Sequence, residues 1–131
     1  MATYFGTTIN DSPTVVYEAG AAISNAQGLI VRLDAGKVKP VAAAGGVCFG
    51  VIPLSEPESF ASGDDVTVQI KDIGVCIAGA AVAAGDHVMC DANGKAVKAT
   101  TGKWILGTAL KAAAEAGTRI PVQITQSGYE A

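Results

Sequence analysis

The chain has 131 residues, half of them counted as apolar but many of those small, with 16 glycines and only 5% aromatic side chains. Nine basic against twelve acidic residues give a net charge of −3 and no basic stripe, which disfavours direct nucleic-acid binding. No run approaches the ~20 apolar residues of a membrane span, residues 1–8 lack the basic and apolar regions of a signal peptide, and three cysteines argue against a disulfide framework.

Taken in order, residues 1–18 differ from the rest. They hold Tyr4, Phe5 and Tyr17, and a turn cluster at Asn10-Asp11-Ser12-Pro13, where proline restricts both itself and Ser12. Thr14–Tyr17 reads as a strand. Residues 1–13 are expected to form an extended arm that docks through Tyr4, Phe5 and Ile9, followed by the first strand.

The body, residues 19–131, reads as one β domain. Leu29–Leu33 is a short apolar run closed by Asp34-Ala35-Gly36, and Lys37–Val41 alternates after it, which predicts a hairpin. Val47–Ile52 and Val66–Ile70 follow as strands, then Ile73–Ile77. His87–Cys90 and Lys95–Thr100 flank Asp91-Ala92-Asn93-Gly94, and Asn-Gly supplies the positive φ angles of a tight hairpin. Trp104–Leu110 and Arg119–Thr125 complete the strands. Gly50 and Gly107 lie inside strands, where glycine marks a bulge, a bend or a close backbone approach. Pro121 cannot donate to a ladder, so it predicts an edge or bulge position. Leu110–Ala116 has helical propensity and ends at Gly117, but it is too short for more than one or two turns.

These elements come twice. Ala19–Ile23 returns as Ala78–Val82, Leu33–Lys39 as Asp91–Lys98, Cys48–Val51 as Ile105–Thr108, and the Val-Gln-Ile ending at Ile70 as the one ending at Ile124. The order is conserved between copies and the separation shrinks only slightly. The fold class that follows is all-β. It is a small β-barrel or β-sandwich of two pseudo-repeats, about 19–70 and 78–125, with an extended N-terminal arm and at most one or two short helical turns.

A search for chemistry finds little. Cys48, Cys76 and Cys90 lack Cys-x2–4-Cys spacing and sit in apolar strand contexts, where free cysteine is a core residue. His87 and Cys90, at i and i+3 on a strand, point to opposite faces, so they do not make a nucleophile pair. Asp64, Asp65 and Asp86 follow glycine in turns, where aspartate serves local hydrogen bonding. Gly45-Gly46 and the Gly-Lys pairs do not form a phosphate loop. Ala84-Gly85-Asp86-His87-Val88 resembles the turn of lipoyl and biotinyl carrier domains, for which Lys95 would be the attachment site. The reading is therefore no catalytic residue, no metal and no cofactor.

One resemblance ties the pattern together. Gly74–Ile77, Ala80–Val88, Asp91–Ala96, Ile105–Leu110 and Val122–Ile124, in that order and spacing, resemble the capsid cement proteins, the head decoration proteins of tailed bacteriophages. The resemblance covers about residues 15–125. It implies a compact β fold without catalysis, bound to the outer face of the mature virion and made in the bacterial host cytoplasm. The implied partners are the major capsid protein and further copies of the chain, as a homotrimer, without nucleic acid or membrane. On this reading Tyr4, Phe5, Ile9, Val15 and Tyr17 contact the capsid, and Trp104 serves self-association or core packing. The competing readings are a carrier or adaptor domain modified at Lys95 and a thiol enzyme using Cys90.

Overall fold

Strand alternation and turn residues are realised as twelve short strands in the computed structural model, which describes residues 14–131. They are β1 (Thr14–Glu18), β2 (Ile23–Ser24), β3 (Ile30–Asp34), β4 (Lys37–Pro40), β5 (Gly50–Val51) and β6 (Ser59–Phe60). Then follow β7 (Asp65–Gln69), β8 (Asp72–Ile77), β9 (His87–Cys90), β10 (Ala96–Lys98), β11 (Trp104–Ala109) and β12 (Arg119–Tyr129). No helix occurs among the described residues.

Two five-stranded antiparallel sheets carry the duplication. The first has the order β1-β7-β5-β3-β4, and the second, read from its other edge, β8-β12-β11-β9-β10. Strand for strand these are the same topology. In each sheet the two edges touch once. Ala19 makes an isolated parallel bridge to Val38, and Ala78 makes the matching bridge to Ala96. A single bridge leaves the ladder open elsewhere, so neither sheet is a closed barrel.

The helical propensity of residues 110–116 is overridden by pairing. Ala113 is buried and exchanges both backbone hydrogen bonds with Val82, at 2.9 and 2.8 Å. In the first copy the same place is the β2–β6 pair, with Ile23 opposite Phe60. One turn of helix buries too little to compete with a two-bond bridge that also seats Ala113 in the core.

Three local readings are corrected. Pro121 is not on an edge strand, because β12 lies between β11 and β8. It is tolerated because the β11 ladder ends at the Ala109–Val122 pair. Beyond that pair only the Pro121 carbonyl is used, accepting from the Leu110 N–H at 2.9 Å. The Asn93-Gly94 turn is the looser of the two hairpins, with φ of +77° at Gly94 alone. The two-residue turn is instead Ala35-Gly36, with φ of +52° and +77°. Finally, the strand expected at Val47–Ile52 is reduced to Gly50–Val51.

The core is shared between copies. The largest apolar cluster joins Ile30, Cys48 and Val51 of the first copy to Cys76, Val88, Leu106, Ile120 and Val122 of the second. A second cluster lies within the first copy, around Ile23, Val31, Val38, Ile52, Val66 and Val68. Each such side chain contributes about 1.5–3 kcal/mol when fully buried. Backbone bonds cross the seam as well, from Ile30 N–H to the Gly94 carbonyl and from Trp104 N–H to the Gly45 carbonyl, both 3.0 Å. Gln69 is the one buried polar side chain among the described residues. Its amide donates to the Lys71 and Ile73 carbonyls, at 2.9 and 2.8 Å, and so pins the connector between the sheets.

Candidate interaction surface

Aromatic side chains are scarce, and where they gather is informative. Tyr17, on β1, meets Phe49 edge to face at 5.3 Å. Trp104, at the start of β11, meets Tyr129 near the end of β12 in the same way at 5.2 Å. The first pair belongs to the first copy and the second pair to the second. Gln126 joins them: its carbonyl accepts the Trp104 indole N–H, and its amide donates to the Phe49 carbonyl at 3.1 Å. Four aromatic rings thus lie along one line of contacts across the seam.

One end of this line reaches solvent, where Tyr129 is 63% exposed. Val16, 59% exposed, is on the opposite face of β1 from Tyr17. Tyr17, Phe49 and Trp104 are half-buried. Large, partly exposed rings of this kind are the side chains that interfaces favour, since they bring area at little entropic cost.

Of the residues singled out in the sequence, Tyr4, Phe5 and Ile9 lie outside the described residues. Val15 and Tyr17 are on β1 and pack against the core of the first sheet. Trp104 packs against the shared core and is hydrogen bonded. The signal for the Gln126 bridge was absent from the sequence, because the amide sits in a terminal stretch that carries no repeat.

The thiols are interior. Cys48 is 5% exposed, while Cys76 and Cys90 are fully buried. The Cys90 thiol points at the Ala43 and Gly46 carbonyls, 3.7 and 3.8 Å from its sulfur. The neighbouring Cys48 thiol draws Cys90 down against the opposing effect of burial, while Cys90 and burial together push Cys48 up. Burial alone raises Cys76 to about 12. His87 turns outward, with Nδ1 2.9 Å from the Glu130 carboxylate, so it and Cys90 do not meet. Among the described residues no cluster of histidine, cysteine and carboxylate suited to a metal is assembled.

The turn carboxylates act locally. Asp64 accepts the Ala61 N–H at 2.8 Å, and Asp86 accepts the Ala83 N–H at 2.9 Å, the same turn in both copies. Lys95 does not occupy the exposed tip of its hairpin. It stands between the buried Gly94 and Ala96, with its N–H on the Asp91 carboxylate at 2.9 Å. A modifying enzyme needs a lysine presented at a tip, and Ala92-Asn93 occupies it.

Comparison with known proteins agrees with this reading. A family model described as phage cement protein matches residues 9–124. No curated protein matches the chain. Among solved structures, the head fiber gp8.5 N base of bacteriophage phi29 is similar, at 19% identity and a TM-score of 0.64, over 92% of this chain and all of that one. At that identity the likeness shows the fold. The family match runs through both copies of the duplicated sheet, and the chain belongs to the phage cement protein family, a structural and non-catalytic component of the phage capsid surface.

Proposed function

We propose that the chain binds the outer face of the mature phage head and clamps neighbouring subunits of the major capsid protein there, as a homotrimer. Residues 1–18 act as an arm and first strand, and residues 19–131 as one β domain. In the arm Tyr4, Phe5 and Ile9 take the capsid contact, continued by Val15 and Tyr17, and Trp104 contributes to contacts between copies. The shared strand order of the two sheets supports reading the body as a small β-barrel or β-sandwich built from two pseudo-repeats.

The family match over residues 9–124 carries this reading. The similar solved structure is the base of a phage head fiber, which supports a place on the head surface. Three unpaired thiols fit synthesis in the host cytoplasm. Each capsid offers many equivalent sites, so a ligand that prefers the mature lattice stabilises it by mass action even when each contact is modest.

Co-sedimentation with expanded, DNA-filled heads tests the proposal, using the full chain and a version lacking residues 2–13. Binding of the full chain with loss in the truncated one supports both the role and the arm. Equal binding of both removes the arm assignment alone, and absence of binding by either overturns the function.

A further inference from the structure

The duplication lets corresponding corners of the two sheets be compared residue by residue. In the first sheet Glu18 stands opposite Asp65 in the β1–β7 ladder. Lys37, just after the hairpin Gly36, reaches the Glu18 carboxylate at 2.9 Å. In the second sheet the same places hold Ile77 opposite Arg119, and Lys95 follows the hairpin Gly94. Both acids of the first corner are gone, one replaced by an alkyl chain and one by a guanidinium, and the lysine is kept. A corner with two acids and one lysine has become one with two cations and no acid at those places.

That corner is also concave. Ile77, Lys95 and Arg119 line an open cleft of about 330 Å³, with Asn25, Gln27 and Glu58 on its other wall. A second cleft of about 400 Å³ continues past Lys95 and Asn25 toward Pro40 and Asn93. Arg32, Lys37 and Lys39 are all paired with Glu18 or Asp34. Lys95 and Arg119 form no ion pair with any described carboxylate. Of the acids nearby, Glu58 lines the cleft but bridges neither cation. Asp91 already accepts the N–H groups of Asn93 and Lys95, at 2.8 and 2.9 Å.

We propose that this cleft is a docking site for an acidic protein segment, supplied by the capsid shell on which the chain sits. The inference rests on the capsid-surface function proposed above. A carboxylate entering the cleft meets an ammonium and a guanidinium, which makes charge-assisted and, for arginine, bidentate hydrogen bonds. Ile77 offers alkyl surface to the stem of the same side chain. The occupant is acidic protein and not nucleic acid, because the chain carries −3 overall and lacks the extended basic field that phosphate binding requires.

The test is head co-sedimentation across a salt series. It compares the unaltered chain with Lys95→Glu/Arg119→Glu and with the charge-neutral Lys95→Met/Arg119→Met. Lys98→Glu and Lys111→Glu, exposed and outside the cleft, serve as controls, and circular dichroism with tryptophan fluorescence checks folding. The expected result is a loss of at least about tenfold for the reversed pair and a smaller loss with a shallower salt dependence for the neutral pair. The controls should bind unchanged. If the reversed pair fails to fold, the neutral pair decides alone.

Equal binding by the unaltered chain and the folded variants overturns the cleft while leaving the capsid function standing. Failure of the unaltered chain to bind overturns the function and the cleft with it. An equal loss in Lys98→Glu reduces the effect to overall charge and overturns the site. So do a change in oligomeric mass with head binding intact, which makes a second copy the occupant, and DNA binding abolished in the variants, which makes it phosphate.

Discussion

The indole N–H of Trp104 donates to the side-chain carbonyl of Gln126, and the same amide donates onward to the Phe49 carbonyl of the other copy. One side chain therefore satisfies two half-buried groups belonging to different copies. Replacement by leucine keeps the bulk and strands both partners. An unsatisfied group of this kind costs about 1–3 kcal/mol. Gln126→Leu is expected to lower the urea midpoint by a corresponding amount. As Trp104 is the only tryptophan, its native fluorescence should change with it, whereas an unchanged midpoint and spectrum would show the bridge to be dispensable.

Gly107 and Gly50 are matched in contact as well as in sequence. A Cβ on Gly107 would collide with the Gln123 carbonyl, and one on Gly50 with the Gln69 carbonyl, which is the corresponding residue of the other copy. Backbone cannot yield as a side-chain tip can, so Gly107→Ala is expected to cost roughly 3 kcal/mol or more, or to prevent folding. Gly46→Ala is the comparison, since its added Cβ would come no closer than 3.4 Å to the Ala43 carbonyl, and it should stay within ~1 kcal/mol of the parent. Thermal unfolding of the two variants checks the contrast.

Ala35 holds φ at +52° in an exposed two-residue turn. The left-handed conformation costs a Cβ-bearing residue about 1–2 kcal/mol, and asparagine much less. Ala35→Asn is expected to raise stability by ~0.5–1 kcal/mol, read as an upward shift of the denaturant midpoint. A fall would mean that the turn is held by contacts the alanine makes.

Cys76 gives a pH dependence of definite sign. Its thiol titrates near 9.0 when free and is raised to about 12 by burial. The folded state thus holds a proton that the unfolded chain releases. Its contribution is complete below pH 9 and is lost as pH rises toward 12, at ~1.4 kcal/mol per pH unit. Stability measured from pH 8 to 11 should fall less steeply for Cys76→Ala than for the parent. Parallel curves would show that Cys76 does not titrate differently on folding.

Much of this was legible in the chain because it is local. Period-two alternation, turn carboxylates such as Asp64 and Asp86, and the twofold return of the Ala-Gly and Val-Gln-Ile segments act over a few residues. They determine an all-β chain built from one unit used twice. The paired glycines were legible for the same reason, since a glycine inside a strand pattern announces a backbone approach before its partner is known.

Tertiary structure alone decided which copy of each residue does what. Gln69 and Gln123 are the middle residues of the same Val-Gln-Ile motif, yet one is buried at the connector and the other is exposed. Lys37 and Lys95 follow the same hairpin glycine, yet only one has an acid to meet. Gln126 and Phe49 are 77 residues apart. The cause is physical: propensity and periodicity are short-ranged, whereas pairing and desolvation depend on neighbours that only the closing of two sheets on one core brings together.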